Sequence, residues 1–172
     1  MSKSRIAEAI TSAKAYLAAH PEEARYRDAV ATAVVEEGLR VRVTGTDASS
    51  LVTDMVAGVG GTASAPSPGW LFRAAYASCA ATLIVMRAAE QNVELSGLEV
   101  NVDSESDDRG ILGIEDEVPA GPMSIKVTVR VESPQNEGTV REVISWGLKH
   151  CPVDDAVRRP VPVELDVRVT GA

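Results

Sequence analysis

The sequence predicts an α+β fold in one domain with an extra helix at its amino end. Its 172 residues are a typical length for a single domain. Segments with strand-like alternation are grouped in runs of three, two and one around two helix-like segments. This order favours an α+β fold over a doubly wound sheet. The sequence contains no internal repeat.

The first helix is expected over residues 4–19. Apolar residues, among them Ile6, Ile10 and Leu17, recur there at spacings of three and four. The helix should end at His20, because the residue before a proline disfavours helical backbone. We expect its apolar stripe to pack on the main domain.

Three short strands are expected next. Small and β-branched residues alternate over 30–34, which predicts one strand. Arg40 and Arg42 alternate with apolar residues over 39–43, so a second strand should place both arginines on one face. A third strand is expected at 50–54.

The longest helix is predicted over 68–91, after a glycine- and proline-containing loop at 57–68. Pro68 suits a first helical turn, where its missing N–H costs nothing. The helix is apolar on nearly every face, which predicts a position at the centre of the fold.

The second half of the chain predicts two further strands, a helix and a last strand. The segments 98–102 and 123–131 alternate cleanly and should pair as an antiparallel hairpin. The acidic linker 104–122 is expected to be a solvated loop, because it lacks the glycine and glutamate spacing of a calcium-binding EF-hand. A helix is expected over 139–150 and a final strand over 161–169.

Composition argues against several classes of partner. The net charge is −8, with 25 acidic against 17 basic residues, which opposes binding to a nucleic-acid backbone. The amino end lacks the apolar core of a signal peptide. Arg73, Ser78 and Thr82 interrupt the longest apolar segment, so we expect no membrane partner and a cytoplasmic location.

The two cysteines, Cys79 and Cys151, are the strongest candidates for chemistry. They lie too far apart for a Cys-x-x-Cys motif, and no ligand-pair spacing supports a metal site. Two readings remain open: a pair of buried, inert thiols, or a redox couple. Phe72, Tyr76 and Met86 share the helix face of Cys79 and would form an apolar wall beside it.

The residues around both cysteines resemble the OsmC/Ohr family. The stretch from Ser67 to Cys79 reads SPGWLFRAAYASC and is similar to that family's central-helix signature. Gly60-Gly61 before it and the HCPV stretch at 150–153 resemble matching segments, and the likeness covers roughly residues 28–170. It implies antiparallel sheets wrapped around two central helices in an intertwined homodimer. Residues 1–26 would then be a helical extension and 27–172 the OsmC-like domain.

The resemblance also implies a function: reduction of organic hydroperoxides without a metal or bound cofactor. Cys79 would attack the peroxide, Cys151 would resolve the product to a disulfide, and a dithiol reductant would reset the pair. Family peroxidases carry a glutamate after the helix-opening proline, which orients an arginine beside the thiolate. Gly69 occupies that position here. Arg40 and Arg42 are the candidate arginines.

Two alternatives stand beside the peroxidase. A dimer of the same fold could bind a small apolar ligand at the subunit interface, beside an idle Cys79. The second alternative is a dimer with a purely structural role. Gly69 favours these alternatives, and the presence of both cysteines favours the enzyme.

Overall fold

A computed structural model describes residues 3–171, which form an α+β fold and confirm the predicted class. Two 3-10 turns, at Pro21–Ala24 and Ala57–Val59, accompany the helices and strands. The helices are α1 (Lys3–Ala19), α2 (Pro68–Glu90), α3 (Asp108–Ile111), α4 (Glu137–Lys149) and α5 (Pro152–Arg158). The strands are β1 (Ala31–Glu37), β2 (Arg40–Gly45), β3 (Ser50–Thr53), β4 (Ser96–Glu105) and β5 (Ser124–Glu132).

The strands form two antiparallel sheets. One has the order β1-β2-β3 and contains the three strands predicted before the long helix. The other is the predicted hairpin of β4 and β5, in which Val100 faces Val129 and Val102 faces Val127. The apolar face of this hairpin packs on α2. Within residues 3–171, the three-stranded sheet contributes no side chain to either buried apolar cluster.

Helix α2 lies at the centre of the packing, against α1, α4, α5 and β4. It begins at Pro68, and the Ser67 hydroxyl caps it by accepting the N–H of Trp70. Its length and apolarity would also suit a membrane span, a property shared by central helices of soluble proteins. One face is buried, including Ile84, whereas Val85 on the other face is exposed.

A buried carboxylate fastens the loop that leads into α2. Asp54 accepts hydrogen bonds from the backbone and hydroxyl groups of Thr62 and Ser64, and from the N–H of Met55. These bonds, that of the Thr62 hydroxyl foremost, hold the pKa of Asp54 far below its usual range. The loop therefore approaches the start of α2 in a defined conformation.

The apolar contact of helix α1 with α2 lies in its first half, and one ion pair follows further along. Ile6 lies beside Val85 and Ala88, and Lys14 forms an ion pair with Glu90. Most of the second half is exposed, including Leu17. The expectation that the whole apolar stripe packs on the domain is therefore wrong for the last turns.

The expected final strand does not form within the single chain. Residues 160–171 form no helix or strand, and the apolar side chains of the segment face outward, with Val163 91% exposed. A strand needs a neighbouring strand for its backbone groups, and none of the described strands pairs with this segment. Helix α5 lies outside the predicted elements. Pro152, which cannot continue the preceding helix, is also the first residue of this one.

The close approach of α2 and α4 depends on Gly147. A methyl group there would lie 2.7 Å from the Ile84 side chain and 2.8 Å from its backbone nitrogen. Gly147→Ala should therefore push the helices apart and lower the free energy of unfolding by about 1–3 kcal/mol. Urea unfolding followed by circular dichroism would measure this change.

Gly69→Ala is the matched control, because a methyl group there meets nothing closer than 3.8 Å. It should keep the stability of the wild type or slightly increase it. Equal stabilities of the two variants would contradict the tight α2–α4 contact.

Candidate functional site

The two cysteines meet in the core although they are distant in sequence. Cys79 lies in the middle of α2 and is half-buried, and Cys151 precedes α5 and is 0% exposed. Both belong to one packed cluster with Tyr76 and Ala80, and both are free thiols. The structure therefore brings together the two residues that the sequence proposed as a redox couple.

The environment of Cys151 favours the protonated thiol. Burial raises its pKa above the ordinary value, and the neighbouring Cys79 side chain raises it further. The backbone N–H groups of Val153 and Asp154 interact with the sulfur and oppose this rise only in part. Cys151 is thus a poor first nucleophile, and Cys79 is the more accessible of the two.

Tyr76, Asp154 and Arg158 form a polar network next to the thiols. The Tyr76 hydroxyl donates a hydrogen bond to Oδ1 of Asp154, and Arg158 Nε donates to Oδ2 at 2.6 Å. Asp154 is only 5% exposed, whereas the Arg158 side chain is 73% exposed. Each carboxylate oxygen therefore has its own donor, one from the core and one from the surface.

The network sets two ionisation states. Burial opposes ionisation of Asp154, but the hydrogen bonds from Arg158 and Tyr76 outweigh it and keep its pKa below the usual value. Burial, followed by the bond to Asp154, raises the pKa of Tyr76 to about 12. Sequence analysis missed Asp154 and Arg158. Their spacing of four indicates an ion pair only on a helix, and helix α5 was not among the predicted elements.

The structure does not bring Arg40 and Arg42 to Cys79 within one chain. In residues 3–171, their side chains bond only to Glu36, at 3.1 and 2.5 Å, and to Ser64, at 2.7 Å. The reason is topological, because β2 belongs to the sheet that does not pack on the α2 core. Glu36 holds both guanidinium groups.

Gly69 leaves the start of α2 without a carboxylate. In the described part of the chain, the one cation within 4 Å of a Cβ placed there is the Arg73 guanidinium, at 3.8 Å. Arg73 in turn donates to the Ser104 hydroxyl at 3.3 Å. The cation nearest to position 69 therefore comes from α2 itself and not from the strands.

The three residues expected to form one apolar wall do not line one cavity in the single chain. Phe72 lies on the open face of α2. Met86 lines an apolar groove of about 510 Å³ beside α1. Tyr76 lines a different cavity of about 480 Å³ with Asp154 and Arg158. Phe72 and Tyr76 share a side of α2, but the rest of the fold covers Tyr76 and leaves Phe72 exposed.

Among residues 3–171, no cluster of His, Cys, Asp and Glu side chains could hold a metal ion. His150 stacks on Trp146 with ring centroids 3.9 Å apart, and its Nδ1 lies 2.8 Å from the Trp146 carbonyl oxygen. Its ring is thus engaged by α4. The chemical groups beside each other at this site are two thiols, a phenol and a carboxylate.

The family model for OsmC-like proteins matches residues 61–166, more than half of the chain. The chain belongs to the OsmC-like family. The match spans Cys79 and Cys151, as well as the buried network of Tyr76, Asp154 and Arg158. No curated protein matches the sequence.

Solved structures show the same fold at low sequence identity. An OsmC-like protein from Mycoplasma pneumoniae has a TM-score of 0.66 and 18% identity, covering 78% of this chain and 89% of that one. An organic hydroperoxide resistance protein from Elizabethkingia anophelis has a TM-score of 0.58 and 18% identity, covering 79% and 91%. An organic hydroperoxide resistance protein from Legionella pneumophila has a TM-score of 0.57 and 21% identity, covering 78% and 91%.

The raised pKa of Tyr76 predicts a loss of stability in alkali. An unfolded tyrosine ionises near pH 10, whereas folded Tyr76 holds its proton to about pH 12. The unfolded chain therefore releases this proton first, and the free energy of unfolding should fall as the pH rises from about 10 towards 12. Urea unfolding at a series of pH values would show it.

In Tyr76→Phe, the free energy of unfolding should fall less between about pH 10 and pH 12 than in the wild type, whatever its value at neutral pH. Tyr26→Phe is the matched control, because Tyr26 is 81% exposed. It should keep the alkaline loss of the wild type. If Tyr76→Phe loses as much stability in alkali as Tyr26→Phe, Tyr76 does not hold its proton as described.

Proposed function

We propose that this chain is a thiol peroxidase that reduces organic hydroperoxides through Cys79 and Cys151. The observation that carries the proposal is the contact between these two free thiols inside one packed cluster. The family includes organic hydroperoxide resistance proteins, among them the Legionella and Elizabethkingia structures. A cycle of this kind needs a compartment that keeps thiols reduced, which agrees with a cytoplasmic location.

The two steps follow from the unequal exposure of the thiols. The Cys79 thiolate attacks the terminal peroxide oxygen, the O–O bond breaks, and the alcohol leaves with a proton. Cys79 becomes a sulfenic acid. The Cys151 sulfur then attacks the Cys79 sulfur, water leaves, and a disulfide forms. A dithiol reductant resets both thiols by exchange.

A homodimer would cover three surfaces that the single chain leaves open. Strand β1 is exposed along its whole length, and Phe72 and Val85 lie on the open face of α2. The segment 161–169 presents an apolar residue at every second position and has no strand beside it. A second copy offers the unpaired sheet edges that this segment needs. We therefore propose that the active protein is an intertwined homodimer.

The Cys79 thiolate needs a cation nearby, and none of the hydrogen bonds in residues 3–171 joins a cation to its sulfur. We propose that Arg40 and Arg42 of one copy serve Cys79 of the other, since their own sheet does not pack on their own α2. Glu36 would then supply the carboxylate that Gly69 cannot, because it binds both arginines. Peroxide would be attacked at the subunit interface.

One observation favours a second function. The apolar groove of about 510 Å³ between α1 and α2 is lined by Met86, Val85 and Leu98, which could hold a small apolar ligand. Together with the missing carboxylate at Gly69, it supports a binding dimer in which Cys79 is idle. The response of the thiols to peroxide separates the two functions.

Stoichiometric cumene hydroperoxide should consume both thiols of the wild type and form one Cys79–Cys151 disulfide within the chain. Cys151→Ser should stop at a Cys79 sulfenic acid, which dimedone traps, because no second thiol is present to resolve it. Cys79→Ser should consume no peroxide. Mass spectrometry of peptides would measure each product. If both thiols persist in excess peroxide, the peroxidase is ruled out and the binding dimer remains.

Glu36→Gln should slow the first step about ten- to a hundredfold, because Arg40 and Arg42 lose their common anchor. The measurement is single-turnover oxidation of Cys79 in the Cys151→Ser background. Glu37→Gln is the matched control, since none of the hydrogen bonds or ion pairs in residues 3–171 involves the neighbouring Glu37 side chain. Equal rates for the two variants would remove Glu36 and its arginines from the mechanism.

A further inference from the structure

We propose that the hydrogen bond between Tyr76 and Asp154 is a clamp that aligns the two thiols for disulfide closure. Tyr76 and Asp154 are then positioning residues for the second step of the cycle. The inference rests on the proposed function, because it concerns the same two thiols. It goes further by assigning a role to a buried carboxylate that the peroxide step does not use.

The clamp joins the same two segments of the chain as the bond that the thiols would form. Tyr76 precedes Cys79 by three residues and lies one turn away on the same side of α2. Asp154 follows Cys151 by three residues, in the first turn of α5. The hydrogen bond therefore joins the same two segments as the sulfur contact, one turn away from it.

Within residues 3–171, the hydrogen bonds between the side chains of α2 and α5 all involve Tyr76. Its hydroxyl donates to Asp154, and it also interacts with the Arg158 side chain that holds the same carboxylate. The remaining contact between these helices is apolar packing, which fixes direction less strictly than a hydrogen bond. The alignment of Cys151 against Cys79 thus depends on this bond.

Arg158 makes the clamp rigid from outside. It binds Oδ2 of Asp154 at 2.6 Å, while Tyr76 donates to Oδ1, so the carboxylate cannot rotate without breaking a bond. A buried carboxylate that lost a donor would be left partly unsatisfied. The two bonds therefore hold the Asp154 carboxylate in one orientation and with it fix the position of the first turn of α5.

Closure depends on such alignment because Cys151 is a weak nucleophile. Its pKa is raised by burial, so little thiolate is present at neutral pH. Disulfide geometry is also strict, with a sulfur–sulfur bond of about 2.05 Å and a narrow range of dihedral angles. Because little Cys151 thiolate is present, fast disulfide closure requires that its sulfur lie close to the Cys79 sulfur and point towards it.

The test uses 2,2′-dithiodipyridine, a small neutral disulfide, so that no peroxide is needed. Cys79 attacks it and releases one thiopyridone, leaving a mixed disulfide. Cys151 then attacks the Cys79 sulfur and releases the second thiopyridone, which completes the Cys79–Cys151 disulfide. Stopped-flow absorbance follows both releases. The wild type should release two equivalents per chain, with a fast second phase.

Tyr76→Phe removes the hydroxyl and keeps the ring in the core. We expect its first phase within about twofold of the wild type and its second phase about ten- to a hundredfold slower. Tyr26→Phe, at an exposed tyrosine, should match the wild type in both phases. A second phase at the wild-type rate, or an equal change of both phases, would overturn the clamp in favour of a purely structural role.

Variants of Asp154 test the same bond from the other side. Asp154→Ala should slow the second phase as much as Tyr76→Phe, and the double variant should be no slower than either single one. Asp154→Asn keeps an oxygen for the Tyr76 hydroxyl and should restore most of the rate. Multiplying effects in the double variant would show that the two residues act separately. This series decides the question even if Tyr76→Phe does not fold.

The same reagents separate this inference from the proposed function. If peroxide leaves both thiols reduced while Tyr76→Phe still slows the second phase, the clamp holds and the peroxidase is wrong. If peroxide forms the disulfide but the second phase is unchanged in Tyr76→Phe, the peroxidase holds and the clamp is wrong. A wild type that releases only one equivalent overturns the clamp.

Discussion

The site depends on the close contact of α4 with α2, which Gly147 permits. A side chain at this position would meet Ile84, so only a glycine lets the two helix backbones approach this closely. The chain leaves α4 at His150 and turns directly into Cys151 and α5. The distance between α2 and α4 therefore determines where Cys151 lies relative to Cys79. A residue without chemistry of its own thus controls the position of one that has it.

One side of α2 is buried within the chain, and the other side is open to solvent. The buried side carries Tyr76, Ala80 and Ile84 and meets the hairpin, α4 and α5. Val85 on the other side is uncovered, as is strand β1. Leaving so much apolar surface in water is unfavourable for an isolated chain of this size. The arrangement suits an assembly in which a second copy completes what one chain begins.

Sequence patterns predicted the fold class and its main elements because their periodicities were long. The continuous apolarity of α2 and the two-residue alternation of β4 and β5 persist over enough residues to be unambiguous. Helix α5 has only seven residues and opens with a proline that also ends α4, so periodicity could not reveal it. The alternation at 161–169 is real, but an alternating segment becomes a strand only when a partner strand is available.

The candidate site was less accessible to sequence reasoning than the fold. Cys79 and Cys151 were identified from the residues around them, but their contact is tertiary and spacing could not show it. Asp154 escaped notice because charged residues are usually solvated, and its burial follows from packing that no local pattern encodes. Arg40 and Arg42 were chosen for sharing a strand face. The alternation of residues along a strand defines its two faces, but it does not show which helix either face contacts.

The complete burial of Cys151 has a consequence for selectivity among thiols. A cell contains millimolar amounts of small thiols that can form mixed disulfides with any exposed cysteine. Cys151 is 0% exposed, so glutathione, an alkylating molecule or another protein finds no surface of it to attack, and within residues 3–171 the other sulfur in its packed cluster is that of Cys79. Its reactivity is thereby reserved for a single neighbour. Burial makes Cys151 slow towards other reagents and so protects its thiol from them.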